Sequence, residues 1–129
     1  MNDCVFCKIT AGEIPAHKVY EDDLVVAFLD INPWTTGHTL VVPKSHYKNM
    51  LETPDELVAK VSVLAKDLAS NFKAPLGAEG FYFIAAGVDV DHFHMHIIPR
   101  HENADIEFTA TNRPANSNLE EVAAKLRND

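Results

Sequence analysis

The 129-residue sequence predicts an α+β protein: a sheet, one long helix packed across it, and a short helix toward the C-terminus. Three observations carry that expectation. Along residues 91–100 (DHFHMHIIPR) histidine and apolar side chains alternate, which is the period of a strand. Short runs such as 24–29 (LVVAFL) and 39–43 (TLVVP) are rich in β-branched residues and bounded by turn residues. Between Thr53 and Leu68 the apolar spacing changes to that of an amphipathic helix.

Taken in order, the chain begins with Cys4 and Cys7 in a CVFC spacing. That spacing suits a metal knuckle or a redox pair, but a redox pair normally opens a helix, which these residues do not announce. Residues 8–15 form a short element broken by Gly12 and Pro15. Residues 18–20 and 24–29 then read as a hairpin across Glu21-Asp22-Asp23. The unbroken apolar run 25–29 predicts a strand covered on both sides, by a helix or by a second subunit. Residues 30–38 are a loop, and the strand that follows ends at Pro43, with His46 just beyond it.

The main helix is announced by Thr53 as cap, Pro54 at the first helical position and Glu56 completing a capping box. Leu57, Val61, Leu64 and Leu68 mark its buried face, widened by Val58 and Ala65. Residues 74–80 read as loop and 81–84 (FYFI) as an aromatic strand leading through 85–87 into the histidine strand. Little periodicity follows until Ser117 and Glu120 repeat the capping-box pattern and Leu119, Val122, Ala123 and Leu126 give a last helix its apolar side. With no internal repeat and no linker, one domain over residues 1–129 is expected.

Charge excludes some functions. With 11 basic and 19 acidic side chains the formal charge is -8, so the sequence-independent grip on a nucleic-acid backbone, which needs a positive footprint, is not expected. No apolar run has membrane length and no secretory pattern opens the chain, so neither a membrane partner nor export is expected and the location reads as cytoplasmic.

The chemistry lies in the histidines and cysteines. Cys4 and Cys7 offer two thiolates, and His46 and His92 are placed to close a tetrahedron. Four protein ligands leave no open position, so such a site is structural; the alternative is a pair of inert reduced cysteines. In an extended strand His92, His94 and His96 face one side while Phe93, Met95 and Ile97 enter the core. The middle imidazole, His94, suits direct attack on phosphorus, because a neutral ring nitrogen is nucleophilic and its near-neutral pKa makes it a competent leaving group. Its other nitrogen needs a partner, for which a carbonyl in the 85–87 loop is the candidate. His96 and His38 are candidates to donate hydrogen bonds to non-bridging phosphate oxygens. Asp30 suits the two hydroxyls of a ribose, or equally a turn cap, and Phe6, Phe28 and Ile31 are candidates to line a base. Trp34 reads as either a lid or an interface residue.

Assembled, the segments HFHMHII (92–98), CVFC (4–7), Ile14-Pro15, FLDINP (28–33) and GHTLVVPK (37–44) with His46 closely resemble the histidine-triad (HIT) superfamily of nucleotide hydrolases and transferases, in its zinc-bearing bacterial-type branch. The likeness runs from residue 4 to residue 100, leaving 101–129 as a C-terminal extension. It implies a HIT-like fold with an antiparallel sheet of about five strands, a homodimer whose two sheets join, and a pocket for a purine nucleoside monophosphate or phosphoramidate. It further implies that His94 forms a covalent nucleotidyl intermediate, that His96 and His38 attend the α-phosphate, and that Asp30 holds the ribose. By similarity to zinc-bearing members and to hexose phosphate uridylyltransferases, Cys4, Cys7, His46 and His92 would bind structural Zn2+, making His92 a ligand and not a catalyst. The activity implied is hydrolysis of nucleoside 5'-phosphoramidates or dinucleoside polyphosphates; the alternative is a catalytically weak nucleotide-binding module stabilised by zinc.

The chain also departs from the family pattern. The Asn usual before the triad is absent, Val88 stands where Gln is expected, and Asp89 takes the place near the phosphate where many relatives carry Ser or Thr. A carboxylate there repels a phosphate unless it points away or is protonated, so slower turnover is expected.

Overall fold

Apolar runs without alternation have to be buried on both sides, and the architecture follows from meeting that demand. The computed structural model describes residues 4–86, 90–101 and 118–127. Strands β1 (Lys18–Glu21), β2 (Val25–Leu29), β3 (Thr39–Pro43), β4 (Gly80–Ala86) and β5 (His94–Arg100) form an antiparallel sheet in the order β1-β2-β3-β5-β4. Every residue of β2 and β3 is buried.

The two faces have different covers. Val25, Ala27, Leu29, Val41, Met95 and Ile97 point to one face, where Val61, Ala65, Leu68 and Phe72 of α2 (Asp55–Leu76) and Ala123 and Leu126 of α3 (Leu119–Arg127) pack on them. Val26, Phe28, Leu40 and Val42 point to the other, where Phe6 and Ile9 of α1 (Val5–Thr10) cover them. Each of the larger of these side chains, the alanines excepted, stabilises the fold by about 1.5–3 kcal/mol when fully buried. The double cover expected for residues 25–29 thus comes from this chain's own helices.

Local details differ from the sequence expectation for physical reasons. Thr53 does not cap α2: it closes the preceding 3₁₀ turn (Met50–Glu52), its hydroxyl donating to the Asn49 carbonyl, and Pro54 stands at the cap position instead. The helix runs through the expected loop at 74–76, because Pro75 has a helical φ and lacks only one N–H in the final turn before the left-handed Gly77. At the N-terminus CVFC does open a helix. The Cys4 sulfur accepts from the Cys7 N–H at 3.3 Å, the role a Ser or Asp usually plays.

Strand β5 starts at His94, so His92 sits in the bend before it. Phe93, Met95 and Ile97 do enter the α2-side core. The expected capping box of α3 involves Ser117, which lies outside the described residues; the Glu120 carboxylate pairs with His17 and Arg127.

Candidate active site and metal centre

Four potential ligands meet where α1 crosses the β3–β5 end of the sheet. Cys4 and Cys7 lie at the start of α1, His46 follows β3 and His92 precedes β5; the Phe93 N–H donates to the Tyr47 carbonyl at 2.7 Å, which draws those last two segments together. The His92 ring donates Nε2–H to the Pro43 carbonyl at 2.8 Å, so Nδ1 carries its lone pair. That Nδ1 lies 3.2 Å from the Cys4 sulfur and 3.4 Å from the Cys7 sulfur, and His46 Nδ1 lies 3.2 Å from Cys7. A tetrahedral cation with ordinary Zn–S and Zn–N lengths needs donor–donor edges of about 3.3–3.8 Å, close to these values.

The ionisation of the cluster agrees. Burial pushes the Cys4 thiol above its ordinary value, and the neighbouring Cys7 sulfur adds to that, so a bound cation is what favours the thiolate pair. Burial also pushes the His92 imidazole down, keeping it neutral and able to ligate. The residues present therefore fit a structural metal. A helix does begin at CVFC, so a redox pair is not excluded on that ground; the convergence of His92 on both sulfurs and of His46 on Cys7 is what points to a metal.

The second constellation is a chain of fixed tautomers. His94 donates Nδ1–H to the His92 carbonyl two residues back, at 2.7 Å, so in the neutral ring Nε2 bears the lone pair. The partner is thus the backbone of the bend that leads into β5 and not the 85–87 loop. The backbone N–H of Trp34 donates to His38 Nδ1 at 3.0 Å, which puts the His38 proton on Nε2; that proton faces His96 Nδ1 at 2.8 Å, leaving the His96 proton on its Nε2. Trp34 also stacks on His38, with ring centroids 5.3 Å apart and planes 8° off parallel. The Asp30 carboxylate lies 3.7 Å from His38 Nε2, while its other oxygen accepts the Asn32 N–H at 2.8 Å. Asp30, His38 and His96 converge closely enough to suggest metal ligands, but the His38 proton is already committed to His96.

The loop that carries His38 is anchored at two points. Thr35 donates to the Pro99 carbonyl at 2.7 Å. Gly37 adopts φ +93°, and a Cβ there would lie 2.6 Å from the Leu76 side chain, so the loop closes against the last turn of α2 only with glycine.

A cleft of about 520 Å³ opens on the α1 side of the sheet. The register explains its shape. His96 lies opposite Leu40, Leu40 opposite Phe28, and Phe28 opposite Lys18, giving a row across β5, β3, β2 and β1. Three strand spacings make this row roughly 14 Å long. His94 and His96 line one end, Phe6, Phe28, Asp30 and Ile31 the middle, and His17 and Glu120 the far end. His38 is fully buried behind His96 and is not among the lining residues. Phe6, which sits between the two cysteines, meets His92 edge-on at 5.9 Å and His94 at 4.9 Å, so one ring touches both the metal cluster and the cleft.

A family model described as the HIT domain matches residues 11–103. The chain belongs to the HIT family. An uncharacterised HIT-like protein of Methanocaldococcus jannaschii is 44% identical over 129 residues, covering 96% of this chain and 98% of that protein. The adenylylsulfatase HINT3 of Arabidopsis thaliana is 38% identical over 130 residues, covering 97% of this chain and 66% of that one. Among solved structures, a Zn-bound histidine triad family protein from Mycobacterium smegmatis superposes with a TM-score of 0.89 at 34% identity, covering 98% of this chain and 91% of that chain.

Within this HIT protein the structure brings nearly all the sequence-predicted site residues into two adjoining clusters; Asp89 lies outside the described residues. Among the other residues lining the cleft are Ile9 and His17, which no sequence pattern marks, and Glu120, whose sequence pattern suggests only a helix cap. For Trp34 the four-residue separation from His38 was the one available clue. No described helix is long and apolar enough to cross a membrane.

Proposed function

We propose that this HIT protein is a hydrolase that cleaves nucleoside 5'-phosphoramidates, or related linkages at the α-phosphate, through a nucleotidyl intermediate on His94. The single observation that carries this reading is the 2.7 Å bond from His94 Nδ1–H to the His92 carbonyl, in a ring that lines the cleft. It fixes the tautomer with a nucleophilic Nε2, and the carbonyl stabilises the charge the ring gains once that nitrogen is bonded to phosphorus.

In the first step the Nε2 lone pair attacks the α-phosphorus, the bond from phosphorus to the leaving nitrogen breaks, and that nitrogen departs as an amine after taking a proton from solvent, which the attacking water of the second step gives back. His96, its proton held on Nε2 by His38, donates toward the phosphoryl oxygens as charge redistributes. Trp34 and His38 act as positioning residues behind it. In the second step water attacks phosphorus, the P–N bond to His94 breaks, its electrons return to the ring, and nucleoside monophosphate leaves. Asp30 holds the ribose, and Phe6, Phe28 and Ile31 flank the base. The adenylylsulfatase relative supports chemistry at an adenylyl phosphorus.

Steady-state turnover of adenosine 5'-phosphoramidate tests this. Release of adenosine monophosphate is expected; tight binding of the monophosphate with no product from any phosphoramidate or dinucleoside polyphosphate contradicts it and leaves a binding module.

The metal reading is zinc on Cys4, Cys7, His46 and His92, supported by the donor set and by the Zn-bound neighbour. Its contribution is structural: it joins α1 to the sheet and takes no part in the steps above. The assembly reading is a homodimer joined through the β4 edge, where Tyr82 and Phe83 are 40% and 47% exposed on a strand with no neighbour beyond it among the described residues. Light scattering is expected to give twice the 14.3 kDa chain mass, and a monomer at micromolar concentration contradicts the assignment.

A further inference from the structure

The reaction chemistry occupies the buried end of the cleft; the other end is open to solvent and carries a hydrogen-bonded cluster of His17, Glu120 and Arg127. His17 precedes β1 next to Lys18, the β1 member of the row His96–Leu40–Phe28–Lys18; its carbonyl accepts the Leu29 N–H at 3.0 Å and its side chain lines the cleft, which places it at the sheet edge. From the opposite face of the sheet α3 reaches around that edge. Arg127 donates to the Lys18 carbonyl at 2.8 Å and, at 3.4 Å, to Oε2 of Glu120, whose Oε1 accepts from His17 Nδ1 at 3.1 Å. Hydrogen bonds from His17 and Arg127 hold the Glu120 carboxyl below its ordinary value, which favours its anionic form. Between this carboxylate and the catalytic histidines the lining is mostly apolar, from Ile9, Ile14, Pro15, Phe28 and Ile31.

Length and chemistry now combine. With phosphorus at His94 and ribose at Asp30, the base extends along the row toward β1, and its hydrogen-bonding edge, the part farthest from the sugar, arrives at His17 and Glu120. A carboxylate has only acceptors there. We propose that Glu120 is the base-reading residue of this cleft and that it selects guanine, whose N1–H and N2–H form a parallel donor pair that a carboxylate accepts in bidentate fashion. Adenine offers a single amino group beside a repelling ring acceptor, and hypoxanthine offers N1–H alone. The proposal rests on the nucleotide-site reading above and deepens it by naming the base.

The test compares guanosine, inosine and adenosine 5'-phosphoramidates with one leaving group, and in parallel the binding of the three monophosphates by calorimetry, in wild type, Glu120→Gln and Glu120→Ala. Guanosine is expected to exceed adenosine in kcat/KM by roughly tenfold or more, with inosine between them, and both variants are expected to bring the ratios toward one. Loosening of α3 alone would change all three substrates alike, so the ratios separate base reading from a structural role. Ratios that survive in both variants, or a wild type that binds guanosine and inosine monophosphates equally, overturn the proposal even where a variant folds poorly. Absence of turnover together with a Glu120-dependent preference for guanosine monophosphate overturns the hydrolase reading and supports the base assignment. No binding of any monophosphate overturns both.

Discussion

His94→Ala is expected to lower kcat by at least about 10³-fold while weakening nucleoside monophosphate binding by less than about tenfold. The asymmetry follows from the geometry. The ring is one wall of a cleft also lined by Asp30, Phe6, Phe28 and Ile31, over which the proposed grip on the nucleotide would be spread, but it is the one imidazole whose Nδ1 is tied to a backbone carbonyl, leaving Nε2 for attack. His96→Ala is expected to cost less, about 10²-fold, since it removes a donor and not the attacking atom. Because both would act on one phosphorus in the proposed reaction, the double variant is expected to be no worse than His94→Ala alone. Stopped-flow and steady-state kinetics with one phosphoramidate measure all three; a His94→Ala enzyme within tenfold of wild type would remove the nucleophile from this account.

The second large effect concerns the metal. Cys4→Ser, or exhaustive chelation, is expected to lower zinc content from near one equivalent to near none and to lower Tm on the order of 10 °C, a loss of several kcal/mol. That is less than the roughly 10–16 kcal/mol of metal binding in an isolated zinc finger, because the sheet and its α2 side form a core without it. The local effect is sharper. Helix α1 has only six residues and packs on the sheet through Phe6 and Ile9, both of which also line the cleft. Released from its sulfur anchors it gives up that wall, so KM is expected to rise more than kcat falls. Protein purified without chelator that contains less than half an equivalent of zinc would contradict the metal assignment.

What was legible in the sequence, and what was not, divides by range. Strands announced by continuous β-branched runs lie where they were expected, because burial on both faces leaves no polar position to blur the signal. The alternation in 92–97 correctly assigned Phe93, Met95 and Ile97 to the core, yet it overextended the strand to His92, whose ring is turned by the Pro43 carbonyl. Helix ends were harder. Thr53 satisfies a preceding turn, and Pro75 fits a final helical turn, because neither residue type excludes the alternative. The start of α1 has no Ser, Thr, Asp or Asn to mark it, since a cysteine sulfur caps it.

Within the candidate site, residues with a distinctive donor atom could be named from sequence. Their order in the hydrogen-bond chain could not. That His38 stands behind His96, with Trp34 behind both, depends on a loop held by Gly37 against Leu76 and by Thr35 against Pro99. Glu120 is the extreme case. It meets His17 across 103 residues, from a helix whose own pattern reports only its apolar side.

The most direct measurement is intact mass after rapid acid-free quenching of the protein with a nucleoside phosphoramidate in a single turnover, followed by peptide mapping at neutral to basic pH. The account predicts a transient gain of one nucleotidyl group, located on His94 and absent from His94→Ala. Product formed at full rate with no adduct at any time point, or an adduct on another residue, would contradict it.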